Sequence, residues 1–232
     1  MIVALAAFEW ARLCRLGQGA AIGYAIFAGA CVAALAWTGT GKAAIVVGAA
    51  FWIAVVPIWL WRSVRPSHAS LLVAAGLAVL VPAGAAMTLL TPLQVLLSLG
   101  LTWIADTAAY FAGRRFGRHK LAPSVSPGKT WEGAAGGMVG CGAYAIICAV
   151  FVPQLGAGLS GGAWGAYAAA IVVLCAASIV GDLFESAAKR QASVKDSGNL
   201  LPGHGGILDR IDSATAVLPL CAVLWPLATL RP

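Results

Sequence analysis

The chain has 232 residues, is 61% hydrophobic and only 10% charged, and carries a formal net charge of +7 with a mean hydropathy of +0.90. So little polar surface excludes a water-soluble globular domain and points to a protein of the bilayer.

Met1 to Arg15 starts apolar but carries Glu9, Arg12 and Arg15. It is too short to span, and reads as an interfacial helix or the truncated end of a longer first helix. It lacks the basic start and cleavage site of a secretory signal. Seven uncharged runs follow: Gly19 to Trp37, Ala43 to Trp61, Leu71 to Leu90, Leu93 to Phe111, Gly133 to Val152, Gly161 to Leu183 and Ser213 to Leu230. Each is near the roughly 20 residues that a helix needs to cross the hydrocarbon core. Backbone groups cannot go unpaired in lipid, so these runs predict an all-α polytopic transmembrane bundle of about seven spans plus the short N-terminal segment. Residues 1–100 hold one acid and read as a transmembrane scaffold, and residues 101–232 as the catalytic region.

When the loops are alternated, thirteen of the fifteen Lys and Arg residues fall on one side, and only Lys42 and Arg231 on the other. Cations concentrate in cytoplasmic loops, so the long loops are expected in the cytoplasm and the C-terminus outside. A compact chain of this kind fits the plasma membrane of a prokaryote. The six cysteines are scattered, with no CxxC pair, and predict neither zinc nor disulfides.

The remaining seven acids mark the chemistry. Asp106, in "TWIADTAAYFAGRRFG", and Asp182, in "SIVGDLFESAAKR", sit about one turn inside the cytoplasmic ends of their spans. An ionisable group at membrane depth costs at least about 2.5 kcal/mol on insertion scales, so each is expected to face a cavity. If the Asp182 helix continues past the surface, Glu185, Ser186 and Lys189 share its face at i+3, i+4 and i+7. In "GILDRID", Asp209 and Asp212 lie at i and i+3 at the start of the last span, where the helix dipole favours anions.

Clustered carboxylates without a neutralising partner suit a hard divalent cation, which makes Mg²⁺ the expected metal. Pro202, Gly203, Gly205 and Gly206 allow backbone to approach a ligand, and Lys189, Arg190, Lys195 and Arg210 supply charge for phosphate oxygens. The combination predicts phosphoryl chemistry. The loop "GRRFGRHKLAPSVSPGKTWEG" carries cations that suit anionic lipids, and its "SPGKT" is not a Walker A loop, because Pro123 stands where that motif needs glycine. Lys129 and Thr130 are nevertheless candidates for contact with a nucleoside triphosphate, with Glu132 near the metal.

"SAAKRQASVKDSGNLLPGHGGILDRIDS", Ser186 to Ser213, resembles the signature of phosphatidate cytidylyltransferases, S-x-x-K-R, then K-D, then P-x-H-G-G-x-x-D-R-x-D. "ADTAAYFAGRRFGRHKLAPSVSPGKTWEG" and "GDLFES" resemble that family's other blocks, with Ala188 and Ala108 as small departures. The resemblance implies transfer of CMP from CTP to phosphatidate, with pyrophosphate released and CDP-diacylglycerol formed for phospholipid synthesis. It implies Asp182, Asp209 and Asp212 as metal ligands, with a second cation, monovalent or divalent, beside Mg²⁺. Lys189 joins them as a catalytic residue. Ser186, Arg190, Lys195, Asp196, Gly205, Gly206, Arg210, Lys129 and Asp106 are the implied substrate contacts, and His204 is expected to brace backbone or touch phosphate.

Partners expected on this reading are CTP, phosphatidate, membrane lipids and a second copy of the chain, but no nucleic acid. Gly136 and Gly140, spaced as small-xxx-small, offer a close helix approach or a dimer contact. Two rival readings are a small membrane transporter and a CTP-dependent lipid or polyprenol kinase. The first would spread polar residues through the middle of several spans; the second would hand over the γ-phosphate.

Overall fold

A computed structural model describes residues 1–156, 159, 161–198 and 205–229, the side chains at 66, 156 and 226–229 excepted. It is a helical bundle, in which α1 (Ile2–Leu13), α2 (Gln18–Thr38), α3 (Gly41–Ala50) and α4 (Val56–Trp61) come first. A π-helical turn at Phe51–Val55 joins α3 to α4, just ahead of Pro57, whose missing amide interrupts the helical ladder. Then follow α5 (Ala69–Leu89), α6 (Pro92–Phe116), α7 (Trp131–Phe151), the single turn α8 (Pro153–Gly156), α9 (Gly162–Gln191) and α10 (Leu208–Thr229).

Among the described residues, six helices are long and apolar enough to cross a membrane. The seventh expected span, Ser213 to Leu230, falls on α10, whose last side chains lie outside the described set. Helix starts follow local chemistry. Thr91 and Gln94 form a reciprocal capping box ahead of Pro92, and Thr130 caps α7 by accepting from the Gly133 amide at 3.1 Å. Gly39 closes α2 in a left-handed conformation, φ 68°.

Two features position the site. At 30 residues and about 1.5 Å per residue, α9 is about 45 Å long, well beyond a hydrocarbon core of about 30 Å. Its C-terminal part carries Asp182, Glu185, Ser186 and Lys189 and stays packed in the bundle, with Phe184, Ala187 and Ala188 buried between them. Between α6 and α7 the loop forms a two-stranded antiparallel hairpin, β1 (Lys120–Ala122) with β2 (Ser126–Thr130), so "SPGKT" is a strand.

Gly136 and Gly140 serve the packing of α7 on α6 within the chain. A Cβ at Gly140 would stand 2.6 Å from the Ala108 Cβ, and one at Gly136 would run into Ala112.

The core gathers around Phe184, 1% exposed, whose ring lies 5.5–6.3 Å from those of Trp10, Phe51, Trp52 and Trp59. Trp10 comes from α1, and its indole N–H donates to the Leu72 carbonyl at 2.7 Å. Gln191, the last residue of α9, donates to the Leu13 carbonyl at 2.8 Å. The N-terminal segment packs into the core through Ala6, Ala7, Trp10 and Leu13.

Candidate active site

The acids of α9 and α10 meet the hairpin and α6 in two neighbouring clusters. In the first, Lys129 Nζ of β2 lies 2.6 Å from Asp182 Oδ2, and the Ser186 hydroxyl donates to Asp182 Oδ1 at 3.2 Å. Asp106 of α6 and Asp212 of α10 lie near enough to Asp182 to repel it. Asp106, Arg114, Ser126, Lys129, Thr130 and Asp182 line a cleft of about 440 Å³ between α6, the hairpin and α9. A separate cavity of about 50 Å³ between Tyr144, Cys148, Tyr167 and Leu174 is apolar.

In the second cluster, Lys189 Nζ donates to Glu185 Oε2 at 2.8 Å and to Asp209 Oδ1 at 2.7 Å. The other Asp209 oxygen accepts from the Ser197 amide at 3.0 Å, the Ser197 hydroxyl at 3.0 Å and the Gly206 amide at 2.8 Å. Asp209 lies ahead of the apolar run that opens at Ser213. Burial pushes its carboxyl up, but the Lys189 ammonium and the two amides outweigh burial and hold it at about 2. The turn before Asp209 depends on Gly205, at φ 82°, where a Cβ would also stand 2.8 Å from Asp209 Oδ2.

The expectation that the carboxylates lack cationic partners is corrected here, because Asp182 has Lys129 and Asp209 has Lys189. Among the described residues, no group of three His, Cys, Asp or Glu side chains stands ready to hold a metal. The donor set still bears on the question: Asp182 and Asp212, with Asp106 beside them, offer carboxylate oxygens that repel one another, which suits a hard dication. Asp209 would have to release its bonds to Lys189, Ser197 and Gly206 to join them.

Glu132 points elsewhere. Its carboxylate accepts from the Arg118 and His119 amides and meets His119 Nδ1 at 2.6 Å, closing the base of the hairpin. Thr130 is buried, and its hydroxyl is used as the α7 cap. Arg190 donates from Nε to the Val125 carbonyl at the hairpin tip, 3.2 Å away. Lys195, Asp196 and Arg210 are exposed. His204, Pro202 and Gly203 lie outside the described residues.

Sequence reasoning missed Glu9. This α1 residue is 2% exposed, and its carboxylate reaches Ser197, Ile207 and Leu208 beside Asp209. The signal was available: a lone acid in an apolar segment is costly unless it has a task.

The sequence model of the Cytidylyltransferase family matches residues 1–227. The phosphatidate cytidylyltransferase of Pseudomonas aeruginosa is 38% identical over an alignment covering 97% of this chain and 85% of the relative. The Haemophilus influenzae phosphatidate cytidylyltransferase is 48% identical over 54% of this chain and 43% of its own length. That of Staphylococcus epidermidis is 44% identical over 56% of this chain and 48% of its own length. With Lys129 and Asp182 at one cleft, Lys189 and Asp209 in the neighbouring cluster, and a family match running from the first residue to near the end of α10, this chain belongs to the cytidylyltransferase family.

Proposed function

We propose that this chain transfers CMP from CTP to phosphatidate, releasing pyrophosphate and forming CDP-diacylglycerol. The observation that carries this reading is the 38% identity, across 97% of the chain, to a phosphatidate cytidylyltransferase. The site's chemistry supports it. A phosphate monoester has a second pKa near about 6, so the lipid phosphate is largely dianionic at neutral pH and serves as the nucleophile without a general base. The work left is to bring two anions together and neutralise the charge that develops.

In this mechanism Lys129, at the wall of the cleft, holds a phosphate oxygen of CTP, and Lys189 orients and neutralises the reacting phosphates while Glu185 fixes its position. Ser186 braces Asp182. Arg190, Lys195 and Arg210 attract the triphosphate to the mouth of the site, with Asp196, His204 and the Gly205–Gly206 turn around it. Asp182 and Asp212, with Asp209 once released, would hold Mg²⁺ and a second cation. When bound, these metals would withdraw charge from the α-phosphate and the departing pyrophosphate.

We infer a multi-pass location in a prokaryotic plasma membrane, with the cleft facing the cytoplasm and the C-terminus outside. The one-sided distribution of thirteen of fifteen cations supports that orientation. A homodimer and the absence of a nucleic-acid partner belong to the same proposal.

The test supplies protein in detergent micelles with Mg²⁺, phosphatidate, and CTP labelled separately at the α and γ phosphates, with Asp182→Asn as control. Label from α alone entering lipid, with pyrophosphate released and the variant inactive, is expected. Entry of γ label would make the chain a lipid kinase and overturn the proposal. Entry of neither label would also count against it.

A further inference from the structure

Glu9 is the only acid among the first 105 residues, and it is 2% exposed. A carboxylate so placed has to be satisfied, and each of its oxygens is. Oε1 accepts from the Ile207 amide at 3.1 Å, and Oε2 accepts from the Leu208 amide at 2.8 Å and the Ser197 hydroxyl at 3.1 Å. Ile207 and Leu208 stand at the start of α10, where the first amides of a helix have no partner within it and where the dipole favours an anion. Glu9 is therefore a cap for α10, supplied by the opposite end of the chain.

The cap reaches the site through shared donors. The Ser197 hydroxyl that lies 3.1 Å from Glu9 Oε2 also lies 3.0 Å from Asp209 Oδ2. A hydroxyl has one proton to donate, so the two carboxylates share Ser197 as a donor and are linked through it. The Gly206 amide, one residue before the pair capped by Glu9, bonds Asp209 at 2.8 Å. The two glycines that flank this arrangement leave room for Glu9: a Cβ at Gly198 would stand 2.5 Å from Oε1, and one at Gly206 would run into Oε2 and the Ser197 hydroxyl. Glu9 itself is held by the packing of α1, whose Ala6, Ala7 and Trp10 are buried in the core, with the Trp10 ring 5.9 Å from that of Phe184.

We propose that Glu9 is a positioning residue for the transfer reaction, fixing the turn Gly205–Leu208 so that Asp209 and Lys189 are presented to the site in one arrangement. This inference rests on the cytidylyltransferase reading given above. Glu9 touches no reacting atom; it acts through Ile207, Leu208 and Ser197. Glu9→Gln keeps the shape but places an amide N–H₂ group against backbone or hydroxyl donors, which loosens the turn. Because a misplacement of about 1 Å at a reacting group costs on the order of 100-fold, kcat is expected to fall 10- to 100-fold, with the KM for CTP changed less than about threefold.

The experiment compares wild type, Glu9→Gln, Glu9→Asp and Trp10→Phe in micelles. It measures kcat, the KM for CTP, thermal unfolding, and hydrogen exchange at the Ile207 and Leu208 amides. Trp10→Phe removes a core hydrogen bond on the same helix and lowers stability, but is expected to keep kcat and the protection of the two amides. Glu9→Gln is expected to lose both. If Glu9→Gln cannot be recovered folded, Glu9→Asp, which keeps the charge one methylene short, carries the test with a smaller loss in the same direction. Unchanged kcat, unchanged amide protection, or an equal kcat loss in Trp10→Phe would overturn the inference. A wild type that moves no label into lipid would sink the functional reading instead, and the exchange measurement would still decide whether Glu9 holds the turn.

Discussion

Lys129 Nζ lies 2.6 Å from Asp182 Oδ2, so the last strand of the hairpin is tied to the polar end of α9 at the wall of the cleft. The two side chains keep 23% and 27% of their exposure, and an ion pair so wet contributes about 0–1 kcal/mol. Its value to the fold is small. Lys129→Gln is therefore expected to shift the melting temperature by no more than about 4 °C, yet to lower transfer from CTP on the order of 100-fold. Thermal unfolding and steady-state rates on the same preparation check this. Loss of stability without loss of rate would show that the pair is only a brace.

The buried pair behaves differently. Lys189 stands between Glu185 and Asp209, whose side chains keep only 3% and 10% of their exposure. Removing one partner of a buried pair costs about 3–5 kcal/mol, because the remaining charge is stranded. Lys189→Met is expected to destabilise by that order, and the double variant with Glu185→Gln to recover part of the loss, as read by unfolding in micelles. Equal stability of the single and double variants would show that Glu185 carries no charge for Lys189 to neutralise.

These pairs mark the limit of what the residue order discloses. Apolar runs near 20 residues long were legible as helices because lipid forbids any other backbone arrangement, and α2, α5, α6, α7 and α9 follow from that alone. The strip Asp182, Glu185, Ser186 and Lys189 was legible because helical spacing sets a face. The assignment of partners was not. Whether Asp209 meets a metal or Lys189 depends on where the Ser197 and Gly206 amides fall, and no periodicity encodes that. Glu9 was hidden for a related reason, since its partners Ile207 and Leu208 lie at the other end of the chain and contribute only backbone amides. The hairpin at Lys120–Thr130 is too short and too rich in turn residues to show a strand pattern.

Glycines of α7 separate packing from propensity. Gly136 lies against Ala112 of α6, with no room for a Cβ, while Gly142 has no neighbour within 4 Å of where its Cβ would be. Gly136→Ala is expected to destabilise by about 1–3 kcal/mol through overpacking. Gly142→Ala is expected to be neutral or to stabilise by up to about 1 kcal/mol through helix propensity. Melting temperatures in micelles compare them, and equal shifts would remove the case for tight α6–α7 packing.

Glu132 tests the boundary of the metal site. Its carboxylate meets His119 Nδ1 at 2.6 Å and accepts from the Arg118 and His119 amides, so it holds the base of the hairpin that carries Lys129. A carboxylate used in this way is expected to shape the Lys129 side of the cleft rather than to bind a cation. Glu132→Ala is expected to raise the KM for CTP about tenfold, as the Lys129 strand loosens, and to speed hydrogen exchange at the Arg118 and His119 amides. The Mg²⁺ concentration giving half-maximal rate should stay within about twofold of wild type, whereas Asp182→Asn should shift it strongly or abolish activity. Titration of Mg²⁺ at saturating CTP separates the two roles. A shift in Mg²⁺ dependence for Glu132→Ala as large as that for Asp182→Asn would move Glu132 from hairpin brace to metal ligand.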